Sequence, residues 1–166
     1  MRRILLVLVG TVAFWALARN GLEAQSATAS LTISATVSKN CTITTAPVNF
    51  GAYDPIAANA TAPLDGIGTI TVTCTKGTAA RVDLNAGSNA QGAARRMTQG
   101  AAAYLNYELY SDAAHSIVWG EGANGMNLPA APNRNPRTFT AYGRVAAAQD
   151  ATVGNYTDTV VATVNF

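Results

Sequence analysis

The stretch that decides the fold is residues 26–44, which read SATASLTISATVSKNCTIT. Every even position in this stretch is Ser, Thr or Asn. The odd positions up to residue 37 are all apolar, namely Ala27, Ala29, Leu31, Ile33, Ala35 and Val37. Alternation with a period of two predicts a β-strand with one apolar and one polar face. The apolar face needs a hydrophobic core, and the first question is whose core that is.

The composition of the chain narrows the classes of function. The chain has 166 residues, enough for one domain, and only 12% of them are charged. Of eleven Lys and Arg and nine Asp and Glu residues, three basic and one acidic lie before Gln25, which leaves eight of each sign. The remaining chain is therefore neutral, and a basic surface for nucleic acid is not predicted.

Residues 1–24 have the pattern of an export signal. Arg2 and Arg3 precede a mostly apolar run over 4–17, which is short for a membrane span. Candidate cleavage motifs end at Ala18 and at Ala24, and we favour Ala24 because the alternating strand begins just beyond it. A retained membrane anchor is the alternative interpretation.

Cys41 and Cys74 are the two cysteines of the chain. In an exported protein an even number of cysteines suggests a disulfide. Alternation in 67–75 places Cys74 on the apolar face with Ile70 and Val72, where it could meet Cys41. Closing this loop would stabilise the fold by roughly 3.8 kcal/mol in the chain-entropy model. Neither a zinc site nor a Cys-x-x-Cys redox motif is indicated.

The chain after residue 25 predicts an all-β fold. Short runs rich in Val, Ile, Thr, Tyr and Phe alternate with turn residues, which is typical of an antiparallel β-sandwich. A hairpin turn is predicted at 111–115, and loops are predicted at 86–103 and 120–136. Strands are predicted near 30–37, 41–45, 47–51, 67–75, 79–85, 104–110, 116–119, 137–145 and 157–166.

No catalytic site is predicted. His115 is the single histidine, and it shares one predicted loop with Asp112 and Ser116. A triad requires groups that converge from a rigid scaffold, so a solvated loop histidine is the better interpretation. One histidine cannot supply a catalytic zinc, and no nucleotide-binding glycine motif is present. We therefore expect no metal, no cofactor and no enzymatic activity.

Four arginines in or beside the predicted loops are also interpreted as having no functional role. Arg95 and Arg96 lie in one predicted loop, and Arg134 and Arg137 lie in or beside the other. Solvated loop charges are the expected state of such residues.

The chain ends with TDTVVATVNF, another alternating pattern. A sandwich that stops inside such a strand is expected to lack a neighbouring strand, which leaves an open edge and a hydrophobic groove. The apolar positions of this last strand are Val160, Ala162, Val164 and Phe166.

The segment 27–37 is suited to fill that groove in a second molecule, by β-strand addition. To lie parallel beside the adjoining strand of its own chain it would need a crossover of about a dozen residues, and only 38–40 are available. A tight antiparallel hairpin remains an alternative, as does a closed sandwich in which both segments are ordinary first and last strands.

Several motifs resemble the spore coat protein U domain family, the pilins of archaic (Csu-type) chaperone–usher systems. The most specific is the last block, with Tyr142 to Val145, then Gln149, and then Gly154, Tyr156 and Asp158. The resemblance covers nearly all of the chain after the leader. It rests on LTISATVSKNCTI (31–43), VNFGAYDP (48–55), GTITVTCTKGT (68–78), YLNYELYSDAAHSIVWG (104–120) and AYGRVAAAQDATVGNYTDTVVATVNF (141–166).

This resemblance implies an incomplete immunoglobulin-like β-sandwich of the pilin type, lacking its final strand and completed by donor-strand exchange. Residues 1–24 would be the signal peptide, 25–40 the donor-strand extension and 41–166 the pilin domain with the Cys41–Cys74 disulfide. The apolar positions of 27–37 would be the donor residues, and those of 160–166 would line the acceptor groove and face the chaperone. This sequence departs from the family in having alanine at three of the six donor positions, which implies weaker packing of the donor strand.

The implied function is a structural subunit of a surface pilus that acts in adhesion and biofilm formation. Its partners would be sister subunits, a periplasmic chaperone and an outer-membrane usher. It would cross the inner membrane, pass through the periplasm and end in an extracellular fibre. The alternatives are a secreted coat protein that assembles by the same exchange without a pilus, and a monomeric exported binding module or enzyme.

Overall fold

The computed structural model describes residues 24–100 and 102–166. The predicted export signal therefore lies outside the described residues, apart from its last position. Among the described residues no helix has the length and apolar character needed to cross a membrane. The chain divides into two units, residues 1–35 and 36–166.

The alternating N-terminal segment is extended and exposed in the described residues. Residues 24–40 carry no strand, although one was predicted near 30–37. Leu31, Ile33 and Val37 are 86%, 87% and 82% exposed. A strand is defined by its ladder of hydrogen bonds, so an amphipathic segment without a partner strand is not assigned as one.

Eight strands build the second unit, and they confirm the predicted all-β fold. One sheet has the order β1-β2-β7-β5-β4 and the other the order β6-β3-β8, with antiparallel pairing throughout. The strands are β1 (Cys41–Asn49), β2 (Leu64–Cys74), β3 (Ala80–Leu84), β4 (Arg95–Thr98), β5 (Tyr104–Tyr110), β6 (Met126–Leu128), β7 (Arg137–Val145) and β8 (Ala162–Asn165).

The core follows the alternation of the strands. On β3, on β5 and in the second half of β2 every second residue is buried, and the apolar ones among them belong to one core cluster. Trp119 is fully buried, and its indole Nε1 donates to the carbonyl of Val82 at 2.9 Å. The other central residues are Ile70, Val72, Leu84, Leu105, Tyr107, Leu109, Ala141 and Val145.

Several predicted elements need correction, among them the strand at 157–166, which is assigned only over Ala162–Asn165 as β8. The predicted loops 86–103 and 120–136 contain β4 and β6, and 120–136 also contains a 3₁₀ turn at Gly122–Asn124. The segment 116–119 forms only a single bridge, between Tyr110 and Val118, although the predicted turn before it is present. The two strands predicted at 41–45 and 47–51 are one strand, β1, whose register shifts between Ala46 and Asn49.

The end of β1 packs closely against three glycines of β2 and β7. Gly66 and Gly143 are directly opposite each other on β2 and β7. A Cβ on Gly143 would stand 2.7 Å from the ring of Phe50, and one on Gly68 would stand 2.7 Å from a methyl of Val48. Only glycine leaves room for this close approach, so these glycines fix the path of residues 46–50.

The expected disulfide joins the beginning of β1 to the end of β2. Cys41 and Cys74 are paired across the two strands with their Cα atoms 4.1 Å apart. The amide of Thr75 donates to the carbonyl of Asn40, so the neighbouring pair Cys41–Cys74 is a non-hydrogen-bonded pair. Side chains are closest at such pairs, which suits a disulfide.

Candidate functional site: an open groove between two edge strands

Two strands of the sandwich are edge strands that face the same groove. β1 is a terminal strand of the five-stranded sheet, and β8 is a terminal strand of the three-stranded sheet. Asn40 and Val161 both bond to their partner strands through the backbone, and bonding alternates along a strand. The backbone groups of Thr45 on β1 and of Ala162 on β8 therefore point away from those partners, toward open edges.

A groove of about 440 Å³ separates the segment 45–49 from the segment 156–162. Its walls are these two segments, with threonines along the rim. Its floor is made of side chains that belong to the core, namely Ile70, Leu84, Tyr107, Leu109 and Ala141. The groove is thus an opening through which the hydrophobic core reaches the surface.

The predicted acceptor residues take different places. Val160 and Ala162 line the groove. Val164 pairs with Val82 and packs against the core outside the groove lining. Phe166 is 53% exposed and does not line the groove. The donor positions 27–37 lie in the exposed segment described above.

Residues 85–89 form hydrogen bonds with the segment 157–161, which is part of one wall of the groove. The carbonyl of Thr159 accepts from the amide and the hydroxyl of Ser88, at 3.0 and 3.2 Å. The carboxylate of Asp158 accepts from the phenol of Tyr107 at 2.7 Å and from the amide and side chain of Asn89, at 3.1 and 2.9 Å. Burial, and then the bond to this carboxylate, raise the pKa of Tyr107 well above its ordinary value, so the phenol keeps its proton.

The other residues of the last block are structural. The side chain of Gln149 accepts from the backbone amide of Asn106 at 2.8 Å and donates to its carbonyl at 2.9 Å. The backbone amide of Gln149 donates to the phenol oxygen of Tyr53. Arg144 forms a two-bond ion pair with Asp65, which holds the pKa of that carboxyl below its usual value. These contacts connect neighbouring strands and loops and leave no side chain poised for chemistry.

The solvated interpretation of His115 is wrong. Its side chain is only 8% exposed and stands edge-on to the rings of Tyr110 and Tyr142, with Nε2 3.8 Å from Asp65. Asp112 and Ser116, the two residues that share the loop with His115, bond to each other, because the hydroxyl of Ser116 donates to the carboxylate of Asp112 at 2.7 Å. No triad is assembled, and within residues 24–100 and 102–166 no three His, Cys, Asp or Glu residues cluster as metal ligands.

The interpretation of Arg95 as a solvated loop charge is also wrong. Arg95 begins β4 and is only 4% exposed. Its guanidinium donates to the carbonyls of Leu84, Asn85 and Trp119 and pairs with Glu108. A buried charge is tolerated when it is paired and hydrogen-bonded, as here. The sequence around Arg95 has no apolar–polar alternation and is rich in glycine and alanine, so it carried no signal of burial.

Comparison with known proteins agrees with this geometry. Residues 27–163 match the model of the Spore Coat Protein U domain family. The chain is 38% identical over 157 residues to Protein U of Myxococcus xanthus, covering 87% of each chain.

Among solved structures, the chain resembles the CsuC–CsuE complex of a chaperone and a tip adhesion subunit from archaic chaperone–usher Csu pili of Acinetobacter baumannii. The TM-score is 0.58 at 23% identity, and the match covers 79% of this chain and 41% of the other. The minor tip subunit HdaB of the E. coli Hda pilus matches at a TM-score of 0.40 and 19% identity, over 74% of this chain and 79% of the other. The likeness to the Csu complex is one of fold, an immunoglobulin-like β-sandwich.

The family assignment places this chain among structural proteins. The match to the family model extends over most of the chain, from the exposed N-terminal segment to β8. The chain belongs to the Spore Coat Protein U domain family.

Proposed function

We propose that this protein is a structural subunit of a surface fibre of the archaic chaperone–usher type, and that it polymerises by donor-strand exchange. Residues 27–37 of one copy would fill the groove of the next and pair with its open edges. The observation that carries the proposal is the groove itself, which is lined by core side chains and lies between two edge strands.

The dimensions of donor and groove are compatible. At about 3.3 Å per residue, the ten steps from Ala27 to Val37 span roughly 33 Å. The segment 156–166, which forms one wall and continues into β8, has the same number of steps. The donor alternates apolar and polar residues, so one face can meet the groove floor while Ser and Thr face water.

The energy of insertion is large on the scale of a single domain. Burying Leu31, Ile33 and Val37, now exposed, would contribute roughly 5–9 kcal/mol at 1.5–3 kcal/mol per side chain. Domains of this size are stable by about 5–15 kcal/mol. A subunit with an empty groove is therefore expected to need a holder, and a periplasmic chaperone that covers Val160 and Ala162 would serve that role.

The remaining partners follow from the same scheme. An outer-membrane usher would exchange the chaperone for the next subunit, and sister subunits would complete the fibre. The chain would then travel through the periplasm to the cell surface, where the fibre would act in adhesion and biofilm formation. The support is the family membership and the fold shared with the Csu subunit.

The decisive experiment is periplasmic expression of the chain with and without its cognate chaperone, followed by unboiled gel electrophoresis. We expect a ladder of oligomers with chaperone, and loss of the ladder when residues 25–37 are deleted. A synthetic peptide of residues 25–37 should bind the deleted chain without restoring the ladder. A stable monomer that needs neither chaperone nor peptide would contradict the proposal.

A second candidate is a secreted coat protein that assembles by the same exchange without forming a pilus. It is favoured by the description of the matched family as the Spore Coat Protein U domain, to which the 38% identity to Protein U over 87% of both chains adds a second relative. Genes for a chaperone and an usher beside the gene of this protein would support the pilus, and fibres visible by electron microscopy would exclude the coat.

A further inference from the structure

We propose that residues 85–89, hereafter the clamp, hold the acceptor edge in its strand conformation before any donor arrives, with Asn85 and Asp158 as the positioning residues. This inference rests on the proposed donor-strand exchange and concerns how the groove is made ready for it. It gives a role to the carboxylate of Asp158 and the side chain of Asn85, which lie beside the groove wall.

The clamp engages alternate residues of the groove wall. The amide of Asn85 donates to the carbonyl of Val161 at 3.1 Å, and its side-chain Oδ1 accepts from the amide of Val161 at 2.9 Å. The side chain of Asn89 donates to the carbonyl of Thr157 at 3.3 Å, and Ser88 bonds Thr159 as described above. Residues 157, 159 and 161 are thus all bonded toward the clamp.

The residues between them face the other way. Backbone groups of a strand alternate in direction, so those of Asp158, Val160 and Ala162 point toward the groove. In the part of the chain that the structure describes, the backbone groups of Asp158 and Val160 have no hydrogen-bond partner. The wall therefore offers a row of free donors and acceptors at the spacing that an incoming strand requires.

The clamp is itself held rigidly. The carbonyl of Asn85 accepts from Nε and Nη2 of the buried Arg95, at 3.1 and 2.8 Å. Gly87 has a φ of +88°, and a Cβ there would stand 2.0 Å from Oδ2 of Asp158. Only glycine permits this turn to close against the carboxylate. Thr157 is also held by β4, because it exchanges two backbone bonds with Thr98, at 2.9 and 3.0 Å.

A preformed edge should act mainly on the rate of donor association. Without the clamp, residues 157–161 must first be ordered, which costs conformational entropy at each encounter. Once a donor is bound, its own ladder holds the same residues, so dissociation should change little. General destabilisation of the subunit would have the opposite signature, since it would speed dissociation or reduce the folded fraction.

The test uses the mature chain with Ile33→Asp, which is expected to prevent self-assembly, purified with its chaperone and released from it just before the measurement. The probe is a fluorescent peptide of residues 25–37, and association and dissociation rates are measured separately. Asn85→Ala removes the acceptor for Val161, and we expect association slowed by about five- to tenfold with an unchanged dissociation rate. Asn85→Asp keeps the acceptor oxygens and should restore the rate to within about twofold of the parent chain.

The matched control is Asn133→Ala, which removes an exposed asparagine side chain that bonds only to the amide of Asn135. It should leave both rates unchanged. Equal association rates for the parent, Asn85→Ala and Asn133→Ala chains would overturn the clamp while leaving strand exchange in place. Failure of the peptide to bind the parent chain would contradict strand exchange, and the role of the clamp would fall with it.

A second measurement needs no clamp variant. Hydrogen exchange of the donor-free chain should show protected amides at Thr157 and Val161 and rapid exchange at Asp158 and Val160. Adding the peptide should then slow Asp158 and Val160, by about tenfold or more. Unprotected amides throughout 157–161 before the peptide is added would overturn the inference even if all variants fold poorly.

Discussion

The two ends of the chain carry the same alternating pattern and stand in different environments. In 27–37 the apolar side chains are exposed, with Leu31 and Ile33 each more than four-fifths accessible. In 160–165 the apolar side chains Val160, Ala162 and Val164 are half-buried and pack against the core. The C-terminal segment has β3 and the clamp beside it, while the N-terminal segment has no assigned strand partner in the described residues.

The difference shows what alternation does and does not determine. A period of two sets the two faces of a strand, because successive side chains point to opposite sides. It does not determine which molecule supplies the core that covers the apolar face. The four predictions that follow test this contrast.

The largest effect is expected at the N-terminal segment. Ile33→Asp should abolish oligomers, because it replaces a side chain worth 1.5–3 kcal/mol on burial by a carboxylate whose burial costs several kcal/mol more. Thr32→Asp places the same charge one residue away on the polar face and should leave assembly nearly unchanged. The ladder on an unboiled gel measures both, and equal loss with the two variants would contradict the alternating burial.

The next effect concerns the base of β1, where the exposed segment joins the domain. Replacing Cys41 and Cys74 together by Ser should lower the free energy of unfolding by roughly 3–4 kcal/mol, since the disulfide closes a loop of about 34 residues. Urea unfolding of the peptide-filled subunit would measure it. Dithiothreitol should shift the parent protein by a similar amount and leave the double variant unaffected.

A smaller contrast is expected within the C-terminal segment. Val160→Ala removes two carbons from the groove wall and should weaken donor-peptide binding by about 1 kcal/mol. Val161→Ala alters a neighbouring side chain that is 53% exposed, and its effect should stay within about 0.5 kcal/mol. Peptide titration of both variants gives the comparison. A larger loss with Val161→Ala would mean that the opposite face of this segment meets the donor.

The smallest expected effect is a change in the free energy of unfolding at alkaline pH, which Tyr107 at the floor of the groove would cause. The pKa of Tyr107 is raised from 10.0 in the folded protein, first by burial and then by its bond to Asp158. Above pH 10 the unfolded phenol ionises while the folded one keeps its proton, so the free energy of unfolding should fall as pH rises. Below pH 10 this contribution is constant.

Tyr107→Phe isolates that contribution, because the other tyrosines remain. The difference in unfolding free energy between parent and variant should be constant up to about pH 9 and shrink above pH 10. Urea unfolding over this range measures it. A difference that does not change with pH would show that Tyr107 ionises normally in the fold.

Much of the fold could be predicted because its signals are local. The alternation of β2, β5 and β7 is continuous, and their predicted positions lie within a few residues of the observed strands. The Cys41–Cys74 pairing followed from a count of two cysteines and from the face on which Cys74 lies.

The errors arose where long-range contacts override local composition. Arg95 looks like a surface charge, and its burial depends on carbonyls contributed by Leu84 and Trp119, 11 and 24 residues away. His115 lies in a polar turn, and its burial depends on Tyr142, which comes from another strand. The clamp was also missed, because residues 85–89 read as an ordinary polar loop until the last strand is placed beside them.

The position of the disulfide has a mechanical consequence for the proposed fibre. Tension along such a polymer would enter each subunit through 38–40 and reach the domain at Cys41. Without a covalent link, that load would peel β1 from β2 one hydrogen bond at a time, beginning at this end. Because Cys41 is bonded to Cys74, the pull is shared by two strands from the first residue, and the subunit resists unzipping where the force is applied.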